Sequence, residues 1–479
     1  MEIITTLLLT IAVILFCSIY FKNKKRDDYP PGPFNLPFLG ALYLIKQNQA
    51  HLGLHKLYKK YGKIFSMKFG DVDTIVISEP SIILEMFHNQ GAKFYDRFIT
   101  PSFEIVGGYR KNIGFTNGPH WKKIRGIVNA SLTKSKTRQL EDLINFQFDK
   151  MHDSLELELK KTDIINMKTF FKKLTFNVIF NYCFGGFVPY EDESIPEDVK
   201  IFVLNSERLL SHLAAGKASD YIHCLKPFSS YQELHNIMDG IMSFIKPNVE
   251  YHIKTLDENK PRDFIDNLII EIKNDPAKTI DVSCIQNICV DLLVGGTDTT
   301  ATTLQWMILY LSNNPHYQEK LFQEIKSISP DGFPSLSDRG KFTFFNAVLK
   351  ETFRRSPIVP LGLSHMVAED AQVEQYFLPK GTQVLANFYS ASLDESIWEE
   401  PLVFNPMRHF NSQSPVLVFS VGPRKCPGQN LSEDELFLIG TKIFKLFKFS
   451  RPSEELFDES PVMGVTLEAK FFNSKIELR

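Results

Sequence analysis

The sequence has no Gly/Ser-rich linker, charge block or low-complexity tract after residue 40, and it contains no internal repeat. Length alone would suggest about three domains of roughly 150 residues each, but these absences exclude a string of tethered modules or a solenoid. One large domain behind a short leader is expected. Six cysteines, at positions 17, 183, 224, 284, 289 and 426, lie far apart and form no paired framework. A disulfide-stapled secreted scaffold is thereby excluded, and the thiols read as reduced. With 54 Lys+Arg against 56 Asp+Glu the net charge is −2, so no basic field favours nucleic acid, and none of the usual nucleic-acid motifs occurs. No Gly-x-Gly-x-x-Gly follows a strand and no P-loop is present, so no built-in nicotinamide or flavin site is expected.

What is present begins with an uncharged run at residues 3–21, nineteen residues long. A spanning helix needs about 20 such residues. Lys22, Lys24, Lys25 and Arg26 come directly after it, while the N-terminal side carries Glu2 and no basic residue. The positive-inside bias places the remainder of the chain in the cytosol. A cleaved signal peptide would want basic residues before the run and small residues at a cut site, and has neither. Residues 1–28 are therefore expected as a transmembrane anchor with its basic flank. Tyr29-Pro30-Pro31-Gly32-Pro33, with Pro37 close behind, cannot continue a helix. Residues 29–40 read as a proline-rich hinge, either a plain loop or a stiff spacer, and 41–479 as the one large domain.

Strand-length apolar segments at 63–69 and 74–78 predict a small sheet near the start. Three-to-four spacing of apolar residues predicts helices over 119–134, 138–160, 166–183, 197–214, 231–256 and 262–273. The longest candidate runs from about residue 281 to 312, stopped near Pro315. Shorter strand-like pieces such as 381–388 come next, and a final helix covers about 428–447. The fold class is mainly α with small β sheets. Gly295-Gly296 sits near the middle of the longest candidate, where each glycine costs roughly 1 kcal/mol relative to alanine. Close approach of a flat ligand is one way to offset that cost.

The most informative segment is Phe419-Ser420-Val421-Gly422-Pro423-Arg424-Lys425-Cys426-Pro427-Gly428. Two glycines and two prolines within seven residues specify a rigid turn just ahead of a helix. Cys426 then lies at a helix N-terminus, with Arg424 and Lys425 adding positive charge. Such conditions lower a thiol pKa and hold a thiolate. A thiolate can ligate haem iron and push electron density towards it, which favours O–O cleavage.

The pattern Phe-x-x-Gly-x-Arg-x-Cys-x-Gly resembles the haem-binding loop of the cytochrome P450 superfamily. Four further segments match that family. Glu351-Thr352-Phe353-Arg354 places Glu and Arg on one helical face, and Pro401-Leu402-Val403-Phe404-Asn405-Pro406-Met407-Arg408 supplies the Arg that the family joins to them. His409 stands where the family usually has Phe. Gly295-Gly296-Thr297-Asp298-Thr299-Thr300 resembles the oxygen-binding segment. Trp121 and Arg125, four apart on one helix, match the family's Trp-x-x-x-Arg pair.

The resemblance implies the family's single-domain, mainly α fold and haem b (iron protoporphyrin IX) as cofactor, with Cys426 as metal ligand. Phe419, Gly422 and Gly428 would shape the cofactor loop. Trp121, Arg125, Arg424 and His365 would meet the haem propionates, while Asp298 would relay protons and Thr299 would hydrogen-bond bound oxygen. The implied activity is monooxygenation of a small hydrophobic substrate with O2, at the cytosolic face of the endoplasmic reticulum membrane. Electrons would come from an NADPH-cytochrome P450 reductase, with cytochrome b5 as a further donor, and Lys122, Lys123 and Lys425 are candidates for its docking patch. Segments 99–106, 288–293, 358–363 and 462–465 are candidate pocket lining, chiefly apolar. Two alternatives remain at this point. One is a haem-thiolate isomerase or dehydratase that needs no electrons, against which the Asp298–Thr299 pair argues. The other is a non-enzymatic, membrane-anchored haem protein.

Overall fold

The computed structural model of the protein describes residues 26–46, 49–134, 139–190, 195–215, 217–275, 280–411 and 414–479. Its axis is the helix Val282–Asn313. Asp281 caps the N-terminus by accepting the Cys284 N–H at 3.0 Å, and Pro315 begins the next helix, Pro315–Ile328. With 32 residues the axis helix is about 48 Å long. Every residue from Thr300 to Ser312 is buried, as befits a helix surrounded by others rather than lying on a surface.

The predicted helices appear with ends shifted by a residue or two: Gly118–Lys134, Gln139–Leu159, Met167–Phe184, Glu197–Ala215, Gln232–Thr255, Phe264–Lys273 and Gln429–Leu446. The 262–273 segment starts late because Asp263 is consumed as a cap, accepting the Asp266 N–H. Helices at Ala50–Tyr61 and Thr343–Arg355 complete the frame of a chain about 57% helical. Two large apolar clusters meet along the axis helix. Its C-terminal half packs with Thr343–Arg355 and Gln429–Leu446, and its N-terminal half with Glu197–Ala215 and Gln232–Thr255.

The principal sheet has five strands in the spatial order Ile64–Phe69, Val72–Ile77, Gln383–Ala386, His365–Met366, Asp96–Arg97. A two-residue turn with Gly70 at φ 58° joins the first pair. The last pair matters most for function, because its register sets Arg97 opposite His365. A second hairpin, Pro461–Met463 with Leu467–Ala469, is fastened to the axis helix where Trp306 Nε1–H donates to Leu467 O at 2.8 Å.

The apolar run at residues 3–21 lies outside the described residues. Among the described residues no helix is long and apolar enough to cross a membrane. The stretch expected as a hinge is fastened to the sheet edge. Prolines cannot donate to a ladder but their carbonyls accept: Pro31 O takes the Ser66 N–H (2.7 Å) and Pro30 O the Ser66 hydroxyl (2.6 Å). Asn35 Oδ1 receives the Lys68 N–H at 3.0 Å.

Candidate functional site

The Cys426 loop is built from backbone constraints. Ser420 and Gly422 both have positive φ (57° and 73°), and the Cys426 N–H returns to Phe419 O at 2.9 Å. A Cβ on Gly422 would stand 1.7 Å from Phe87 O, so only glycine fits. At Gly428 the chain imposes nothing comparable, the nearest atom to a Cβ being Cys426 Sγ at 4.0 Å. The Phe419 ring packs edge-on against Phe353 at 5.4 Å. Gly428 caps the helix Gln429–Leu446, and the N–H groups of Gly428 and Gln429 aim at the sulfur.

The thiol environment differs from expectation. Burial pushes the Cys426 thiol up, against the helix N–H groups and Arg125, which favour the anion. A metal ion coordinated there would supply the ionisation, since it deprotonates a coordinating thiol outright. Arg424 and Lys425, expected beside the sulfur, are directed elsewhere. Arg424 is buried and donates to Tyr95 O (2.6 Å), Ile113 O (3.1 Å) and Thr116 O (2.5 Å), its plane 3.7 Å from the Trp121 ring centre. Lys425 is exposed. Arg125, whose Nη2 donates to Lys425 O at 2.8 Å, is the cation that acts on the sulfur.

Arg97, Arg125 and Arg424 form a buried cationic cluster. Burial depresses all three, and repulsion from neighbouring arginines adds to it at Arg97, held at about 9, and at Arg424, held at about 8. Among the described residues no carboxylate lies within ion-pair distance of any of them; Asp96 acts on Arg424 only from farther away. Two donors in the cluster, Arg97 Nε–H and the Trp121 indole N–H, are buried with no hydrogen-bond partner. His365 joins the group, stacked on Phe87 at 3.8 Å with Nδ1–H donating to Phe94 O at 2.6 Å. Burial and Arg97 hold its pKa well below the usual range. The neutral ring has then spent its one N–H, so it would donate to a carboxylate only after taking up a proton. Arg97 is the member that sequence reasoning missed.

On the axis helix the two glycines play different roles. Gly295 faces open space, whereas a Cβ on Gly296 would lie 3.2 Å from the Ile179 side chain, so Gly296 serves helix packing. The half-buried Thr299 hydroxyl donates to Gly295 O at 2.9 Å. Asp298 is buried and faces another way: Oδ2 accepts from the Thr466 hydroxyl at 2.7 Å, and Oδ1 lies 3.4 Å from Lys172 Nζ. The structure thus does not bring the Asp298 carboxylate onto the Thr299 hydroxyl. Two turns earlier, Asp291 interrupts the expected apolar lining. It accepts the N–H groups of Ile113 (2.7 Å) and Gly114 (3.0 Å) and the Asn112 amide (2.8 Å). Burial nevertheless raises it to about 6.

Beneath the loop the expected ion network is complete. Fully buried Glu351 receives Arg354 Nε and Nη2 (both 2.8 Å), Arg408 Nε (3.1 Å) and the Asn405 N–H (2.9 Å). His409 occupies the departure from the family pattern and joins in, Nε2–H donating to Glu351 at 2.8 Å. Of the surface lysines, Lys123 is paired with Asp275 (2.5 Å) and Lys122 lies over the Tyr95 ring (4.9 Å), so the free charge there is smaller than expected.

These residues fit a flat, dianionic, metal-bearing group. A sulfur at a helix N-terminus, an open face at Gly295, and buried cations and N–H donors lacking an anion are complementary to iron, ring and propionates respectively.

The comparisons agree with that chemistry. The family model described as "Cytochrome P450" matches residues 30–473. "Probable cytochrome P450 515A1" of Dictyostelium discoideum is 36% identical over 467 residues, covering 96% of this chain and 93% of its own length. "Probable cytochrome P450 516B1" of the same organism is 31% identical, covering 98% and 99%. "Cytochrome P450 2J5" of Mus musculus is 31% identical, covering 96% and 94%.

Proposed function

Because the chain belongs to the cytochrome P450 family of haem-thiolate monooxygenases, we propose that it inserts one atom of O2 into a small hydrophobic substrate. The other atom leaves as water, with two electrons and two protons consumed. Cys426 would hold the iron of haem b, Arg97, Arg125 and the Trp121 N–H would take the propionates, and Gly428 with Gly295 would leave room for the ring. Arg424 would add its charge from behind Trp121, and His365 would contribute once protonated. Phe419 and Gly422 fix the loop. When bound, haem supplies reductive activation of oxygen, assisted by electron release from the thiolate.

Proton supply is the task left to the chain. Lys172 is partly exposed and spans from Asp298 to Glu207 (3.1 Å), offering a route from solvent to a buried carboxylate. Asp298 would carry protons inwards and Thr299, on the carbonyl of the open-faced Gly295, would present a hydroxyl to oxygen. Peroxide isomerisation needs no such supply, so the acid–hydroxyl pair favours monooxygenation.

Electrons would come from an NADPH-dependent flavoprotein reductase, with cytochrome b5 as a second donor. Association with the endoplasmic reticulum membrane is supported by the run at 3–21 and by an apolar surface beside the start of the domain. Phe34, Phe38, Leu225 and Phe228 are exposed, the last at 87%. Both segments flank the Gly70–Asp71 turn, which bonds Leu39 on one side and Tyr221 and His223 on the other.

The observation that carries the reading is the buried Arg97–Arg125–Trp121 group beside the Cys426 loop, which has no carboxylate within ion-pair distance among the described residues. The test is the spectrum of the reduced, carbon-monoxide-bound protein. Wild type is expected to show a strongly red-shifted Soret band and Cys426→His to lack it. Wild-type protein purified without porphyrin, or a band unchanged by the substitution, would refute the assignment.

A further inference from the structure

Asp298 is anchored from outside its own helix. The Thr466 hydroxyl makes the hydrogen bond to its carboxylate, at 2.7 Å and out of solvent. Lys172 Nζ stands 3.4 Å from the other oxygen, which has no hydrogen-bond partner among the described residues. The lysine therefore supplies charge, and the threonine supplies direction. An O–H···O⁻ bond of this length is among the stronger kinds available to a side chain.

Thr466 belongs to the turn 464–466 that joins Pro461–Met463 to Leu467–Ala469. The turn is closed by Gly464 N–H to Thr466 O at 2.8 Å. Leu467 is held on both sides, its carbonyl by Trp306 and its N–H by Ile358 O at 2.8 Å. Glu468 pairs with Lys168, one turn before Lys172 on the same helix. Three elements, the hairpin, the helix Met167–Phe184 and the axis helix, thus converge on one carboxylate. A β-branched side chain has few rotamers, so Thr466 transmits the position of the turn to Asp298 with little slack.

We propose that Thr466 is a positioning residue for Asp298, holding the acid in its resting direction so that the 464–466 turn governs proton delivery. The inference rests on the reading of Asp298 as the proton-carrying group. It adds that the grip on that group comes from the hairpin that contains the candidate pocket segment 462–465, so displacement of the turn reaches the oxygen-activating helix through one hydroxyl.

The experiment uses the haem-loaded full chain with reductase and NADPH, in H2O and D2O, and reads the share of NADPH recovered as hydrogen peroxide and the solvent isotope effect. Thr466→Val should raise the ratio of peroxide to water about tenfold, the scale of one lost charge-assisted hydrogen bond, and change the isotope effect. Asp298→Asn should do the same, and Thr466→Ser should restore wild-type values. A double-mutant cycle of the two sites in equilibrium unfolding should show coupling, which reads the bond without turnover. If Thr466→Val loses haem, Thr466→Ala carries the same comparison. Valine and alanine variants matching wild type while Asp298→Asn is altered would overturn the inference alone. An Asp298→Asn variant matching wild type would overturn the proton-carrier reading beneath it.

Discussion

Two buried groups of cations lie on this fold, and they differ in where their anion comes from. Around Glu351 the chain provides its own: Arg354, Arg408 and His409 converge on one carboxylate, and Arg354 also donates to Ser392 O and Pro401 O at 2.8 Å. Around Trp121 the described residues provide cations and N–H groups, with neutral main-chain carbonyls but no carboxylate within ion-pair distance. The electrostatic response is opposite in the two places. Burial by itself would raise Glu351, but Arg354, His409 and the Asn405 N–H outweigh it and bring the carboxyl to about 2. In the other group burial wins: Asp96 favours the charged Arg424 only from a distance, and Arg97 and Arg424 are both depressed. A neutralised cluster is a structural rivet, and an un-neutralised one of similar depth is a receptor.

The largest effect that would sharpen this contrast is expected at Glu351. Glu351→Gln leaves two buried guanidinium groups uncompensated and should lower unfolding stability by about 3–5 kcal/mol, read by chemical denaturation. The linkage has a definite sign. The folded pKa lies below the unfolded value, so the wild-type contribution is full above about pH 4.5 and is lost as pH falls towards about 2. The variant should therefore show a flatter acid limb. Arg97→Leu should behave in the reverse manner: haem-free protein no less stable than wild type, but haem released roughly tenfold faster, the scale of one charge-assisted hydrogen bond. Equal loss of stability in the haem-free state would erase the distinction between the two clusters. The smallest effect is expected for His409→Phe, which restores the family's usual residue. Glu351 keeps its other donors, so a cost of about 1 kcal/mol is expected, with haem retention unchanged.

The contrast also explains what could be read from sequence. Glu351 and Arg354 are three apart on one helix, and the 419–428 loop is a single run, so local spacing exposes both. Trp121 and Arg125 are visible for the same reason. Arg97 carries no local signal, because it reaches the site through a two-residue strand paired with His365 far along the chain. Thr466 reaches Asp298 across a similar sequence distance. Composition of the axis helix suggested that both central glycines approach a ligand, yet only neighbours in space could separate Gly295 from Gly296. The direction of Arg424 was hidden likewise. Three of its hydrogen bonds go to main-chain carbonyls of 95, 113 and 116, with Asn117 Oδ1 as a further acceptor, and carbonyl positions leave no trace in residue identity.

Gly422 has a consequence of a different kind. The turn carrying the sulfur rests against the carbonyl of Phe87, in the π-helical turn Glu85–Asn89 whose ring at 87 covers His365. Main chain bears on main chain there, with no side chain between. The Cys426 turn and the turn that covers His365 are thus gauged against each other by the dimensions of the peptide unit itself.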